Sequence, residues 1–582
     1  MMREKRAGEH STKIVTVAYP GQGMDAALEI RAAIEEAKNE DEFVEIRFET
    51  GKIYEVWPES AYHARGYYIT NTAGKLENPD GERWSAILMK DMKNVVINGS
   101  GALLLVHGVM TPILIDGCED IIFRDFNLDY ARPTVSEYTV TMKTDTYIRI
   151  KVHKDSLYRL QDADGDGRPD SILWQGERTL ADGEARYWEN AACLLQELDP
   201  DRGTLRRVPW YGYGSGITDL GDNVLQLEFP EGSRYREGCT YQARDGIRNQ
   251  VGVFVHRSRN VTFEDCGFHY MHGLGIVGQY SENLTLHRLE CAPRPETGRT
   301  CASFADFVQM SGCRGEILIA DSHFSGAHDD TVNIHGTHLR IVEADRAERR
   351  LTVRFMHEQS WGFQAFEAGD EIELIDGESL VPYHGNVVKD FIRKNDTDIE
   401  LMLEEALPEG IRTGCDAVEN ITWTPNVTIR NNLSEYVPTR GILCTTRGKV
   451  VIEKNVFRKH GMAAILLEDD ARGWFESGLI RDMTIRDNLF EDGEAPQIHS
   501  NPQTVSADPE KTVHSNIAVT GNRFTGQAVE IRAVGTKGFR VEDNIFPEAG
   551  GKVFLTGCNG FAVRNNENQT GIYQDGWAGP VS

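Results

Sequence analysis

The chain has 582 residues, with 56 glycines, 20 prolines and 62 basic against 90 acidic side chains, a formal charge of −28. So acidic a surface repels nucleic acid and anionic membrane, and it suits a polyanionic ligand poorly. The sequence has no apolar run of the ~18 residues that a membrane-spanning helix needs. It also lacks the CxxC pair of a zinc ribbon or thioredoxin-like site.

From the N-terminus, residues 1–17 are charged and hold no apolar stretch long enough for a signal peptide. From Asp25 to Lys38, Ala26, Ile30, Ala33, Ile34 and Ala37 keep a 3.6-residue period, and Asp25 can cap the free N–H groups. This predicts a helix over the open end of a solenoid, followed by a first strand at Val44–Phe48. A short phrase then recurs, at Asn94-Val95-Val96-Ile97, Asp120-Ile121-Ile122-Phe123 and Asn260-Val261-Thr262-Phe263. Later copies begin at Asn426, Lys449, Asp482, Asn516 and Gly538, spaced by about 23, 33, 34 and 22 residues. Repetition at that period is the signature of stacked coils. The fold expected is all-β: a right-handed parallel β-helix with about three short strands per coil and apolar residues stacked inside. Asn431, Asn455, Asn488, Asn522 and Asn544 close the later strands, and asparagine tolerates the left-handed backbone of a sharp corner. The Asn-x-Ser/Thr sequons follow from this pattern and are read as structure.

Two stretches break the rhythm with alternating strands, and both predict small antiparallel sheets or barrels grown from coil corners. The expected organisation is a cap and first coils over 15–137, an insertion over 138–240 and central coils with the site over 241–338. A second insertion over 339–407 and C-terminal coils over 408–582 complete it. Inside the first insertion, Asp162, Asp164, Asp166 and Gly167 match the opening of a calcium loop, but Leu173 replaces its closing glutamate. An acidic turn is the plainer reading and a structural calcium ion the alternative. The ten cysteines read mostly as buried filler, although Cys291 and Cys301 flank a Pro- and Gly-containing loop and could pair in an oxidising compartment.

The densest polar cluster lies on two consecutive coils. Asp306 precedes Asp329 by 23 residues and Asp330 by 24, one coil length. With strands ~4.8 Å apart, the three carboxyl groups converge if all face outward, which requires a corner near Ser325-Gly326-Ala327-His328. Acids so close share protons, and a protonated acid beside ionised ones is the equipment of glycosidic cleavage. Against this, adjacent Asp-Asp pairs are common in exposed turns.

The stretches Phe304-Ala305-Asp306-Phe307-Val308-Gln309 and Gly326-Ala327-His328-Asp329-Asp330-Thr331-Val332-Asn333-Ile334-His335-Gly336 resemble the signature of glycoside hydrolase family 110. These are α-1,3-galactosidases acting on blood-group-B and linear B structures. The similarity runs from Gly21-Gln22-Gly23 through Asp129–Thr134 and His269–Gly273 to the late coils. The resemblance implies an inverting exo-enzyme releasing terminal α-1,3-linked galactose, with Asp329 as general acid and Asp306 and Asp330 activating water. It also implies galactose-terminated glycans as partners. No cofactor is required. Inversion calls for an acid–base gap of ~6.5–9.5 Å, which one ladder step plus a lateral offset would supply. Sugar-binding candidates are His272, His328, His335, Trp361, Arg440, Arg447 and Glu468, with Trp361 as a stacking platform. A secreted or periplasmic location would suit a bacterial enzyme of this kind, and homo-oligomers are open to a solenoid. The competing functions are a β-helix hydrolase for another glycan, such as a polygalacturonase, and a non-catalytic carbohydrate-binding solenoid.

Overall fold

The computed structural model describes residues 13–38, 43–163, 165–176, 187–189, 195–574 and 577–579. Its regular structure is nearly all short strands, and successive coils pair in parallel from Lys13–Val17 to Gln569–Gln574. The result is a parallel β-helix, in the right-handed sense that parallel crossovers adopt. Each late coil gives three strands, as in Asn426–Arg430, Leu433–Glu435 and Ile442–Cys444. Val427 aligns with Val450, Met483 and Ile517, while Ile429 aligns with Ile452, Ile485, Val519 and Val541. These apolar positions are buried and fill the bore. Beside them Phe457, Phe490, Phe524 and Phe546 stack at centroid distances of 5.0, 4.6 and 5.3 Å.

At the N-terminal end the helix Ala27–Lys38 buries Ala27, Ile30, Ala33, Ile34 and Ala37, and Asp25 Oδ1 accepts the Ala27 N–H. One strand precedes it. Lys13–Val17, inside the segment read from sequence only as a charged terminus, pairs with Val44–Phe48 and becomes the first rung.

The corner asparagines work differently from expectation. The left-handed residues are Asn431, Lys454, Asp487, Gly521, Asp543 and Asn565, each one position before the ladder. The ladder itself is Asn432, Asn455, Asn488, Asn522, Asn544 and Asn566. Each amide Nδ2 donates to the next Oδ1 at 2.9–3.0 Å, and each Oδ1 also accepts the preceding asparagine's backbone N–H. Asparagine is chosen here for its buried amide, which satisfies corner groups that the strands leave unpaired.

The first insertion is a seven-stranded antiparallel sheet from Val135–Lys143 to Thr240–Arg244, with a three-stranded sheet beside it. Its core is aromatic, built on Tyr138, Trp174, Tyr235 and Tyr241. Asp162 accepts N–H groups of Gly165 and Gly167, and Asp166 accepts that of Arg168, as an acidic turn does; Asp164 lies outside the described residues. The second insertion is a closed six-stranded barrel that begins with Leu339–Asp345 and ends with Ala417–Asn420, past the boundary at 407. Cys291 and Cys301 are free and buried, so the pairing suggested for them is absent. Among the described residues no helix is long and apolar enough to cross a membrane.

Replacing Asn488 by Ala would strand the Asn455 N–H groups and the Ile452 carbonyl inside the corner. A loss of roughly 2–4 kcal/mol is expected, from unsatisfied groups at ~1–3 kcal/mol each. It should appear as a lower thermal midpoint, and an unchanged midpoint would show the ladder to be decorative.

Candidate active site

Register brings the acidic cluster together. Val308 aligns with Val332 and Val332 with Ile442, so the residues two positions earlier, Asp306, Asp330 and Arg440, form one column across three coils. The backbone agrees: Phe307 N–H donates to Asp330 O at 3.0 Å and Thr331 N–H to Arg440 O at 3.2 Å. Asp329 enters from the neighbouring column because the chain turns there. Gly326 makes that turn possible with φ 86°, and a Cβ on it would meet Thr300 O at 2.6 Å.

Carboxylate oxygens of Asp306, Asp329 and Asp330 all lie within 4.8 Å of one another. That figure is the approach of one oxygen from each group, so the corner at Gly326 brings Asp329 up to the shared column. Arginines surround the group. Arg440 holds Asp330 with Nε at 3.0 Å, Nη2 at 2.6 Å and its own N–H at 3.1 Å. Arg207 Nη2 lies 3.0 Å from Asp329 and also donates to His328 O. Arg244 donates to Phe304 O beneath the triad, and Arg248 reaches Gln359 Oε1 at 2.7 Å.

This field divides the three acids. Burial first, then repulsion by Asp329 and Asp330, holds the Asp306 carboxyl well above the usual range. Burial also raises Asp330, offset in part by Arg440. Asp329 is pushed up by burial too, but Arg207, Arg440, Arg244 and Arg248 together outweigh it and leave its carboxyl below the usual range. Burial and repulsion thus favour the neutral form at Asp306, and the arginines favour the ionised form at Asp329, whose side chain is 19% exposed. Three carboxylates this close are also a donor set for a divalent cation. Four guanidiniums already neutralise them, which disfavours a metal there.

The other candidates divide. His272 is buried, its Nδ1 2.7 Å from Thr134 Oγ1 and its ring on Phe304; burial drives its pKa to about 3, so it is neutral. His328 is buried and neutral too, held by Gln242 at 2.8 Å under the catalytic corner. His335 lies on the catalytic strand, 3.5 Å from Glu476. Glu468 is half-buried beside Arg440, and burial lifts its carboxyl to about 7. Arg440 belongs to the triad's column.

Two expectations fail. Trp361 is only 4% exposed and donates its Nε1–H to Ala73 O, so it belongs to the barrel core, and only a small part of it lines the pocket between segment 74–77 and loop 355–361. Arg447 is tied to Glu419 and to Glu373 at 2.7 Å and joins barrel to solenoid.

The exposed aromatic is Trp474, 45% exposed, with its ring 4.1 Å from that of His357 and Arg248 over its face. The Asp470 carboxylate shapes its loop by accepting N–H groups from Arg472, Gly473, Trp474 and Phe475. Nearby, Glu476 takes hydrogen bonds from Asn71 at 2.5 Å and Asn333 at 3.5 Å. Sequence reasoning missed Trp474, Glu476 and the three arginines Arg207, Arg244 and Arg248. The only local hint was an acidic turn followed by Gly473-Trp474.

A family description, the GLAA-B β-barrel domain II, matches residues 350–418, inside the barrel insertion. α-1,3-Galactosidase A of Bacteroides thetaiotaomicron is 37% identical over 92% of this chain and 91% of its own length. That of Akkermansia muciniphila is 36% identical, covering 88% and 82%. α-1,3-Galactosidase B of B. thetaiotaomicron is 28% identical, covering 88% and 82%.

The charge division has a stability consequence. A carboxyl whose folded pKa is raised costs stability as pH climbs from its unfolded value, ~3.9, through the raised one. Asp306→Asn should therefore raise the thermal midpoint, slightly at pH 4 and more at pH 7. Asp329→Asn should do the opposite at pH 7, losing on the order of 1–3 kcal/mol, because it leaves Arg207 facing no anion. Thermal melts of both variants across that range check the signs.

Proposed function

The chain belongs to glycoside hydrolase family 110, the α-1,3-galactosidases, and on that premise we propose that Asp306, Asp329 and Asp330 cleave terminal α-1,3-linked galactose from neutral glycans. The observation that carries the reading is the gathering of three carboxyls, one oxygen of each within 4.8 Å of the others, with Arg440 on Asp330 and Arg207 on Asp329 to set them apart. Such a set holds both an acid for the leaving oxygen and bases for water.

Asp329 is the acid, being the member of the triad that faces the cleft. With the neutral form favoured at Asp306, substrate must loosen the Arg207–Asp329 contact before the proton passes across the short gap. Asp306, then ionised, and Asp330 polarise a water. Its oxygen attacks the anomeric carbon as the C1–O3 bond breaks, Asp329 protonates O3, and the water's proton returns to Asp306 or Asp330. Trp474, 45% exposed, offers apolar ring surface that a sugar can contact. The linkage occurs in linear Galα1-3Gal and in the blood-group-B trisaccharide, and both are substrates on this reading.

We propose inversion, because one acid protonates the leaving group while two remain to hold water. A second reading is retention through a galactosyl–aspartate, which the close approach of the carboxyl oxygens also allows. Proton NMR of early turnover separates them: β-galactose appearing first marks inversion, and α-galactose appearing first would make one aspartate a nucleophile. With Asp329→Asn, turnover of Galα1-3Gal should fall by about 10²–10⁴-fold, while a 2,4-dinitrophenyl α-galactoside, which leaves unprotonated, should suffer far less. Asp306→Asn and Asp330→Asn should slow both substrates alike. Equal losses on the two substrates for Asp329→Asn would remove it from the acid's role.

A further inference from the structure

A pocket of about 450 Å³ opens between segment 74–77 of the N-terminal coils and barrel loop 355–361. It is a built seam. Ser360 Oγ donates to Asn71 Oδ1 at 2.7 Å, and Trp361 Nε1–H donates to Ala73 O at 3.0 Å, so the two segments are fastened behind it. His357 forms one wall, and its ring also lies 4.1 Å from Trp474. Gln359, in the same lining, accepts from Arg248, one of the arginines whose charge acts on Asp306 and Asp329. The pocket therefore adjoins the catalytic cleft beyond Trp474.

Resting on the galactosidase reading, we propose that this pocket binds neutral sugar units on the leaving-group side, beyond the sugar directly attached to the cleaved galactose. Concavity of this size with a few apolar and polar walls is what small-ligand sites offer. At its rim Leu76 is 100% exposed and Met356 stands out to solvent, apolar surface that a sugar's C–H face can cover. Charge selects against anionic sugars. Lys75 is balanced by Asp396 at 3.5 Å, and burial keeps His357 neutral. Glu77 and Glu358 then leave the lining negative, so sialyl or uronic units are repelled.

The test compares Galα1-3Gal with a neutral linear tetrasaccharide ending in the same disaccharide. Met356→Trp, which fills the pocket, and a Leu76→Ala/Met356→Ala double variant, which strips its rim, change only exposed side chains. Both should lose about 10-fold in kcat/KM on the tetrasaccharide through KM, a loss of ~1.4 kcal/mol, with the disaccharide unchanged. Equal loss on both substrates, or none on the tetrasaccharide, overturns the proposal. A wild type inert towards both glycans would instead sink the galactosidase reading on which it rests.

Discussion

One constraint governs this molecule: each coil must land on the one before it at a single ladder step, ~4.8 Å, with its apolar positions in register. Because register is preserved across insertions of any length, residues 24 and 110 positions apart become neighbours in one column, as Asp306, Asp330 and Arg440 do. The 110-residue interval contains the whole barrel, yet the rung after it falls into place as though the barrel were absent. A side chain's partner is thus fixed by its rung, and chemistry can be composed by choosing residue types down a column.

The insertions supply what a bare column cannot. Stacked carboxyls repel one another, and against this the solenoid sets Arg440 on Asp330. Arg207 and Arg244 come from strands of the first insertion, and Arg248 follows directly after it. The antiparallel sheet is therefore part of the electrostatics of the triad as well as a wall. The residual strain is visible in Asp306, whose neutral form is favoured by burial and by its neighbours. Function here is stored as an unfavourable arrangement that the surrounding coils are stable enough to tolerate.

The fold was readable because its signal is redundant: eight copies of one phrase at coil spacing outvote any local ambiguity. The triad was readable for the same reason, since a coil length separated its members. What was not readable had no repeat to announce it. Lys13–Val17 is a single strand among charged residues, and only its pairing with Val44–Phe48 identifies it. The ladder asparagine was misread by one residue at Asn431, because a corner needs both a left-handed residue and a buried amide, and asparagine suits either. Trp361 and Trp474 are chemically alike, and only burial tells the core ring from the exposed one. The approach of Asp329 to the column follows a corner at Gly326, where a left-handed backbone and the nearby Thr300 carbonyl leave no room for a side chain. The arginine surround, contributed from far along the chain, was hidden beneath a net charge of −28.

The asparagine ladder also separates two limits that many enzymes confuse. Primary amides do not titrate, so the spine from Asn432 to Asn566 is as strong in acid as at neutrality. The acidic column is the reverse, a set of carboxyl groups that titrate. Acid that protonates those carboxyls leaves the amide fastening of the C-terminal coils as it was. The scaffold's tolerance and the enzyme's working range are set by different atoms, and selection can move one without disturbing the other.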